Sequence, residues 1–412
     1  MSFASIILSV VLVLFGFAGG GGSSSGGGSS GGGYSGGSSS YHSSGSSSSS
    51  NGGDSIDSLI IFTIVFFVII YVIFSSKKHN KLINSHNSTP QEKWINEESI
   101  RIFKNYQKDW TDLNEPAISA YTTPDYHEHA ALMLELLKNL HRINKVSKLT
   151  VHGSDLHQPI SEHTPLPIDL RITFDFSGRD QVIDTNTQKI LYDTYVSHAT
   201  ETWNFIYDGK TLKLSGISQP TESSPHLIRS LADFAAQHQL FYSPDWGRYA
   251  LPSRGLIFGG SSMKISDINN HIIGKWGDSL IQLYTYSEVP NQPSAYYLVG
   301  QINVPKEYLG VIVKSKKYKS SHKPDKSYEK FEMEWPDFNK RYEVYTARRD
   351  ALPAFELLNP KFMEYLYNKN PNYNLEVVDN VIYIFANIKD VTEKDYADLL
   401  DVLAYAHKEL KI

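Results

Sequence analysis

The 412-residue chain contains no cysteine. Disulfides, thiolate nucleophiles and cysteine-based zinc sites are therefore excluded. Basic residues are missing from the first 74 positions, so all 39 Lys and Arg follow Phe74. Of the 44 acidic residues, only Asp54 and Asp57 come that early. The remaining 338 residues set 39 basic against 42 acidic side chains, a formal charge of −3. That balance does not suit a general nucleic-acid binder. Glycine is scarce outside one tract, since residues 19–53 hold 15 of the 28. Signature motifs of chemistry are also lacking. No stretch supplies the G-x-x-x-x-G-K-[ST] phosphate loop, and Gly274-Lys275-Trp276 is only a superficial likeness to one. G-x-S-x-G occurs only inside the Gly/Ser tract, as at Gly22 to Gly26, where no strand-to-helix turn is expected. His127-Glu128-His129 places its histidines two apart, which on a helix points them away from each other. We expect no metal, no cofactor and no catalytic residue.

What is present speaks first of location. Residues 6–17 are an apolar run broken only by Ser9 and Gly16, too short for a confident span of roughly 20 residues. Residues 1–18 are thus a signal peptide or a short membrane helix. Residues 19–53, with 15 Gly and 16 Ser, have too few apolar side chains to offset chain entropy and are expected to be disordered. Residues 59–74 form an uncharged run of 16, about 24 Å as a helix at about 1.5 Å per residue. With flanking serines it reads as a transmembrane helix over 58–76. Asp54 and Asp57 precede it, whereas Lys77, Lys78 and Lys81 follow at once. These membrane-flanking lysines are the positive-inside signature and place everything after them in the cytoplasm. Residues 77–96, with a turn-like Asn87-Ser88-Thr89-Pro90, read as a juxtamembrane linker.

From residue 97 the pattern turns helical, with Ile100, Phe103, Tyr106 or Gln107, and Trp110 at spacings of three and four. Thr123-Pro124 offers a cap and first turn for a second helix, striped by Ala130, Leu132, Met133, Leu136, Leu137 and Leu140. The period then changes to two over residues 148–152, 168–176, 190–196, 202–207 and 211–215, with Asp208-Gly209 as a hairpin signal. Helices followed by an antiparallel sheet make an α+β domain over 97–220. Phe103-x3-Gln107-x2-Trp110-x-Asp112, Tyr121-Thr122-Thr123-Pro124, the strand from Ile168 to Phe174, Glu201-Thr202-Trp203-Asn204-Phe205 and Leu212 to Ile217 together resemble the Tim-forty-four-like domain family. The likeness covers roughly residues 93–220. It implies a cone-shaped, nuclear-transport-factor-two-like fold, membrane-proximal tethering or assembly work, and a pocket between helices and sheet. Trp110, Tyr121, Phe174 and Trp203 are the candidate ligand-pocket residues; their plainer role is as core aromatics.

Residues 226–412 read as a second α+β domain. A helix is expected over 226–240, strands over 280–286, 297–304, 309–313 and 342–345, and a final helix over 391–410 capped by Thr392. Residues 375–378 and 381–386 flank Asp379-Asn380, a second hairpin signal. Lys314 to Lys330 is expected as a basic hairpin loop. The stretch from Phe338 through Leu357-Leu358-Asn359-Pro360 to Met363 resembles a bacterial membrane-associated domain family of unknown function. The expected whole is a cell-membrane protein, single-pass or two-pass, with cytoplasmic α+β domains. It binds, tethers or assembles, with the bilayer and a membrane protein, polypeptide or lipid as partners and no nucleic acid. Two alternatives stand beside it. One is an enzyme acting on a small ligand in the cone of residues 97–220, for which Asp169 and Glu201 are the carboxylates to inspect. The other is a structural surface protein working through its Gly/Ser segment.

Overall fold

The chain enters its first described helix through a capping box. Thr89 Oγ1 accepts from the Glu92 N–H at 3.2 Å, and the Glu92 carboxylate accepts from the Thr89 N–H at 2.9 Å. Two orphan donors of the first turn are thereby satisfied, and Pro90 follows at the position where no donor is needed. This helix, α1 (Pro90–Thr111), thus starts inside the stretch expected to be linker. The computed structural model describes residues 89–412 except 162, 219–223, 245–248, 251, 253, 259–267, 288–295, 318–323, 325, 348–357, 370–372, 389 and 410–412. Residues 1–18, the Gly/Ser tract, the run expected to span the membrane, and Lys77, Lys78 and Lys81 all lie outside the described residues. Among the described residues, no helix is long and apolar enough to cross a membrane.

After α1 come α2 (Glu115–Ser119) and α3 (Pro124–Asn139). Thr123 and Pro124 start α3 as expected, although the Thr123 side chain makes no capping bond. The first sheet is antiparallel in the order β1 (Arg142–Leu156), β2 (Ile168–Asp184), β3 (Ile190–Tyr207) and β4 (Leu212–Ser218). The two strand-like patches over 190–207 are one strand, which pairs with β2 along its length through register shifts near Gly178 and Ile183. The Asp208-Gly209 signal does mark a hairpin. Asp208 Oδ1 accepts from the Lys210 and Thr211 N–H groups at 2.8 and 2.7 Å, with Gly209 at φ +96°.

The second sheet follows α4 (Pro225–Gln237). Its path is β5 (Phe241–Ser243), β6 (Ile268–Trp276), β7 (Ser279–Ser287), β8 (Tyr296–Ser315), β10 (Tyr342–Ala347) and β9 (Tyr328–Phe331). Strand β11 (Asn374–Asn387) pairs with β8, and α5 (Pro336–Arg341), α6 (Pro360–Lys369) and α7 (Glu393–Glu409) complete the unit. Strand β11 runs along one edge of β8, leaving the other edge to β7 over its first half and β10 over its second. Pro305 falls in the gap between these halves, where β8 loses no ladder bond to it.

Two expectations give way to the structure. Asp379-Asn380 is not a hairpin turn. Both flanks pair with β8 in one continuous strand, and Asp379 takes φ 53° within a bulge. Gly274-Lys275-Trp276, dismissed above as a phosphate loop, is the end of β6. Lys314 belongs to β8 and Lys330 to β9, where its ammonium pairs with Glu343 at 2.9 Å.

Period-two alternation decides how the second sheet is covered. Leu283, Leu298 and Ile384 point into a core shared with Leu231 and Phe234 of α4, Phe362 of α6 and Leu399 and Leu403 of α7. Their neighbours Tyr284, Val299 and Phe385 point the other way, into a core shared with Phe103 and Trp110 of α1, Met133 of α3 and Phe174 of the first sheet. The two α+β parts are therefore joined through one hydrophobic core, within a compact unit that takes in residues 95–412.

Gly300 of β8 lies under α7, where an added Cβ would sit 2.7 Å from Leu403 Cδ1 and 3.0 Å from Leu399 Cγ. Gly300→Ala should lower stability by about 1–3 kcal/mol. Urea denaturation would show this as a lower midpoint at unchanged slope; an unmoved midpoint would contradict the packing described.

Candidate functional site

Three of the four candidate pocket residues form part of a single aromatic stack. The Phe103 ring lies 4.6 Å from Phe174 and 4.7 Å from Trp203, and Trp203 meets Tyr106 edge-on at 5.4 Å. Tyr106 in turn stacks on Trp110 at 5.8 Å. Trp110 Nε1 donates to Asn144 Oδ1 at 3.1 Å, and Trp203 Nε1 donates to Glu201 Oε2 at 3.0 Å. Both indoles are thus fully buried with their polar edge satisfied. The fourth, Tyr121, stands apart and donates its hydroxyl to Asp109 Oδ2 of α1 at 2.9 Å. Asp169 is exposed, whereas Glu201 is buried beside the Tyr106–Tyr126 hydroxyl pair. Burial pushes both of those hydroxyls up, and the Glu201 carboxylate adds to the shift.

An open cleft lies elsewhere, between α3 and the β5–β6 end of the second sheet. Its volume is about 400 Å³. Helix α3 contributes Glu128, Ala131, Leu132 and Glu135, a stripe at helical spacings of three and four. Opposite stand Gln239, Phe241, Gly274 and Lys275. A Cβ at Gly274 would meet Leu240 Cδ2 at 2.3 Å, so a side chain there requires Leu240 to shift. Glu135 and Lys275 bridge the two walls at 2.8 Å. Both side chains are over a third exposed, so the bridge orients the walls and adds little stability. The result is an apolar floor of Leu132 and Phe241, rimmed by two carboxylates, one ammonium and one amide.

Behind Phe241 runs a buried polar row. His129 stacks on Phe241 at 5.2 Å and lies 3.4 Å from Ser243 Oγ. Ser243 is paired in register with His271. His271 Nε2 meets Gln282 Oε1 at 2.9 Å, and the Tyr284 hydroxyl donates to Gln301 Oε1 at 2.8 Å. Burial drives His129 down to about 3, with His271 adding repulsion, and drives His271 down to about 4. His127, by contrast, pairs with Glu115. The His127-Glu128-His129 triplet is therefore split among an ion pair, the cleft and the seam. Among the described residues no group of three could hold a metal ion. Sequence reasoning missed the β5–β6 wall. The available signal was His271, Gln282 and Gln301, polar residues set in otherwise apolar strands.

Two antiparallel sheets with packed helices define a two-sheet α+β protein. A family model described as a protein of unknown function (DUF3137) matches residues 297–399, from β8 into α7. No curated protein matches the chain. One solved structure is similar, the crystal structure of the mycobacterial trehalose monomycolate transport factor A. The match covers 45% of this chain and 96% of that one, at 12% identity and a TM-score of 0.35, a likeness too slight to carry an argument.

The depressed histidines make the fold acid-sensitive. An imidazole held at about 4 when folded and near 6.5 when unfolded costs nothing above neutrality. As pH falls below about 6.5 the unfolded state takes up the proton first, so stability declines. Between about pH 7.5 and 5, wild type should lose about 2 kcal/mol more than His271→Gln. Parallel stability curves from denaturation at each pH would count against neutral burial of His271.

Proposed function

We propose that the chain is a membrane-anchored binding or assembly factor, and that its cytoplasmic module engages a membrane protein or polypeptide through the cleft between α3 and β6. One observation carries this reading: a half-open cleft of about 400 Å³, with an apolar floor and a charged rim. Such a surface suits a side chain or short segment with an apolar stem and a polar head. Its walls come from both α+β parts and rest on their common core, so the site is held ready before a partner arrives.

The anchoring part rests on sequence. The uncharged run over 59–74 and Lys77, Lys78 and Lys81 behind it support a single-pass helix at the cell membrane. The resemblance of residues 93–220 to the Tim-forty-four-like domain, with its cone-shaped nuclear-transport-factor-two-like fold, supports tethering work; none of the comparisons contributes to that resemblance. In this reading Trp110, Phe174 and Trp203 serve the site indirectly, by fixing α1 and the first sheet beneath α3. Nucleic acid is not a partner.

The test is crosslinking and affinity purification from intact membranes, with a C-terminal tag at native expression. Wild type should recover a reproducible membrane-protein or polypeptide partner. Glu128→Lys with Leu132→Ser should cut that recovery at least about tenfold, a loss of about 1.4 kcal/mol or more. Deleting residues 19–53 should change it little. Recovery that survives the cleft substitutions, or that depends on the Gly/Ser tract, would remove the reading.

A further inference from the structure

Residues 254–258 lie against the β8–β11 part of the second sheet and are tied to it at several points. Arg254 donates through Nη1 to Asp379 of β11 and through Nη2 to the Leu309 carbonyl of β8 at 3.3 Å. The Leu256 N–H donates to the Glu376 carboxylate of β11. Gly255 sits at φ +139°, where a Cβ would stand 2.7 Å from the Phe258 ring and 3.5 Å from Glu376 Oε2. Glycine is thus required both by the backbone and by the close approach. Phe258 covers Tyr286 at 5.1 Å and Tyr383 at 5.5 Å. The segment fits like a strap over a carboxylate that is only 2% exposed.

We propose that Glu376 is a proton-operated latch on this strap: protonated, it stays buried and the strap is closed; ionised, it favours opening the strap to water. The groups facing it are Arg254 and the Leu256 N–H from the strap, and Asp379 and Tyr383 from β11. Arg142 of β1 lies beyond Tyr383, buried, with its Nη1 donating to the Tyr249 carbonyl at 3.1 Å. The Leu256 N–H and the Arg254 charge favour the ionised carboxylate, while Asp379 opposes it. Burial outweighs them all and pushes Glu376 from 4.5 up to about 7.

The direction of the switch follows from linkage. Glu376 holds its proton more tightly in the closed form than when solvated, so closing takes up a proton. The preference for the closed form is fully present below about 4.5, is lost as pH rises toward 7, and levels off above it. The strap should therefore loosen on the alkaline side, although its hydrogen bond to the carboxylate is stronger when charged. From about pH 6 to 8 the opening equilibrium should rise about tenfold. Opening would uncover Tyr383 and Phe258 at the end of the shared core. This latch uses none of the cleft residues and does not depend on the binding reading.

The experiment is amide hydrogen exchange on the full-length chain in detergent or membranes, from pH 6 to 8. The peptide spanning residues 254–258 is followed after correction for the intrinsic rate at each pH, with α6 as internal reference. Wild type should show the tenfold rise in opening, confined to the strap. Glu376→Gln, which keeps an acceptor for the Leu256 N–H but cannot ionise, should give a flat profile with high protection at pH 8. A flat or falling wild-type profile overturns the proposal, as does an equal rise in α6 or the same slope in Glu376→Gln. The wild-type profile decides the matter alone if the variant does not fold.

Discussion

The tyrosine-rich face of the second sheet, packed against α1, α3 and the first sheet, is the contact on which the rest of the structure depends. Strands β7, β8 and β11 are buried on both sides, with aliphatic side chains under α4, α6 and α7 and rings on the opposite face. A strand buried on both faces cannot slip by one residue without exchanging its two cores. The register of β8 is therefore held from both directions. The walls of the α3–β6 cleft inherit that rigidity, because α3 belongs to one part of the shared core and β6 to the other.

The same junction also gathers many of the buried polar groups. His129, Ser243, His271, Gln282, Tyr284 and Gln301 lie along the face where the two parts meet. Glu376, Tyr383 and Arg142 lie along it as well. Buried polar groups cost free energy unless paired, and they specify one mutual arrangement more sharply than aliphatic side chains do. The neutral histidines weaken the fold toward acid, and the raised carboxyl of Glu376 acts in the opposite sense. Stability near neutrality is then a balance of two opposed proton linkages within one interface.

Local order was legible where a residue's neighbours in sequence were also its neighbours in space. Pro124 at the start of α3, the stripe of Leu132, Met133, Leu136 and Leu137, Asp208-Gly209, and Thr392 ahead of α7 could all be read directly. Thr89 and Glu92 carried a capping-box signature that went unread, because Asn87 to Pro90 also looks like a turn. Asp379-Asn380 carried the opposite trap. A left-handed residue serves a bulge as well as a hairpin, and only β8 running beside both flanks decides between them.

From sequence alone, the absence of cysteine chemistry, the near-neutral balance after Phe74 and the alternation of helical and strand periods were determined, because each depends on composition or on spacing along the chain. The segregation of Gly, Ser and charge about residues 59–74 is of the same kind. Which faces meet was decided only by tertiary structure. Trp110 and Trp203 became core rather than pocket rim because Phe103 and Tyr106 fill the space between them. Glu128 and Lys275 came to face one cleft, and Leu256 came to rest on Glu376, across more than a hundred residues of chain. No local pattern encodes such pairings, since they arise when the non-local burial of both sheets is satisfied at once.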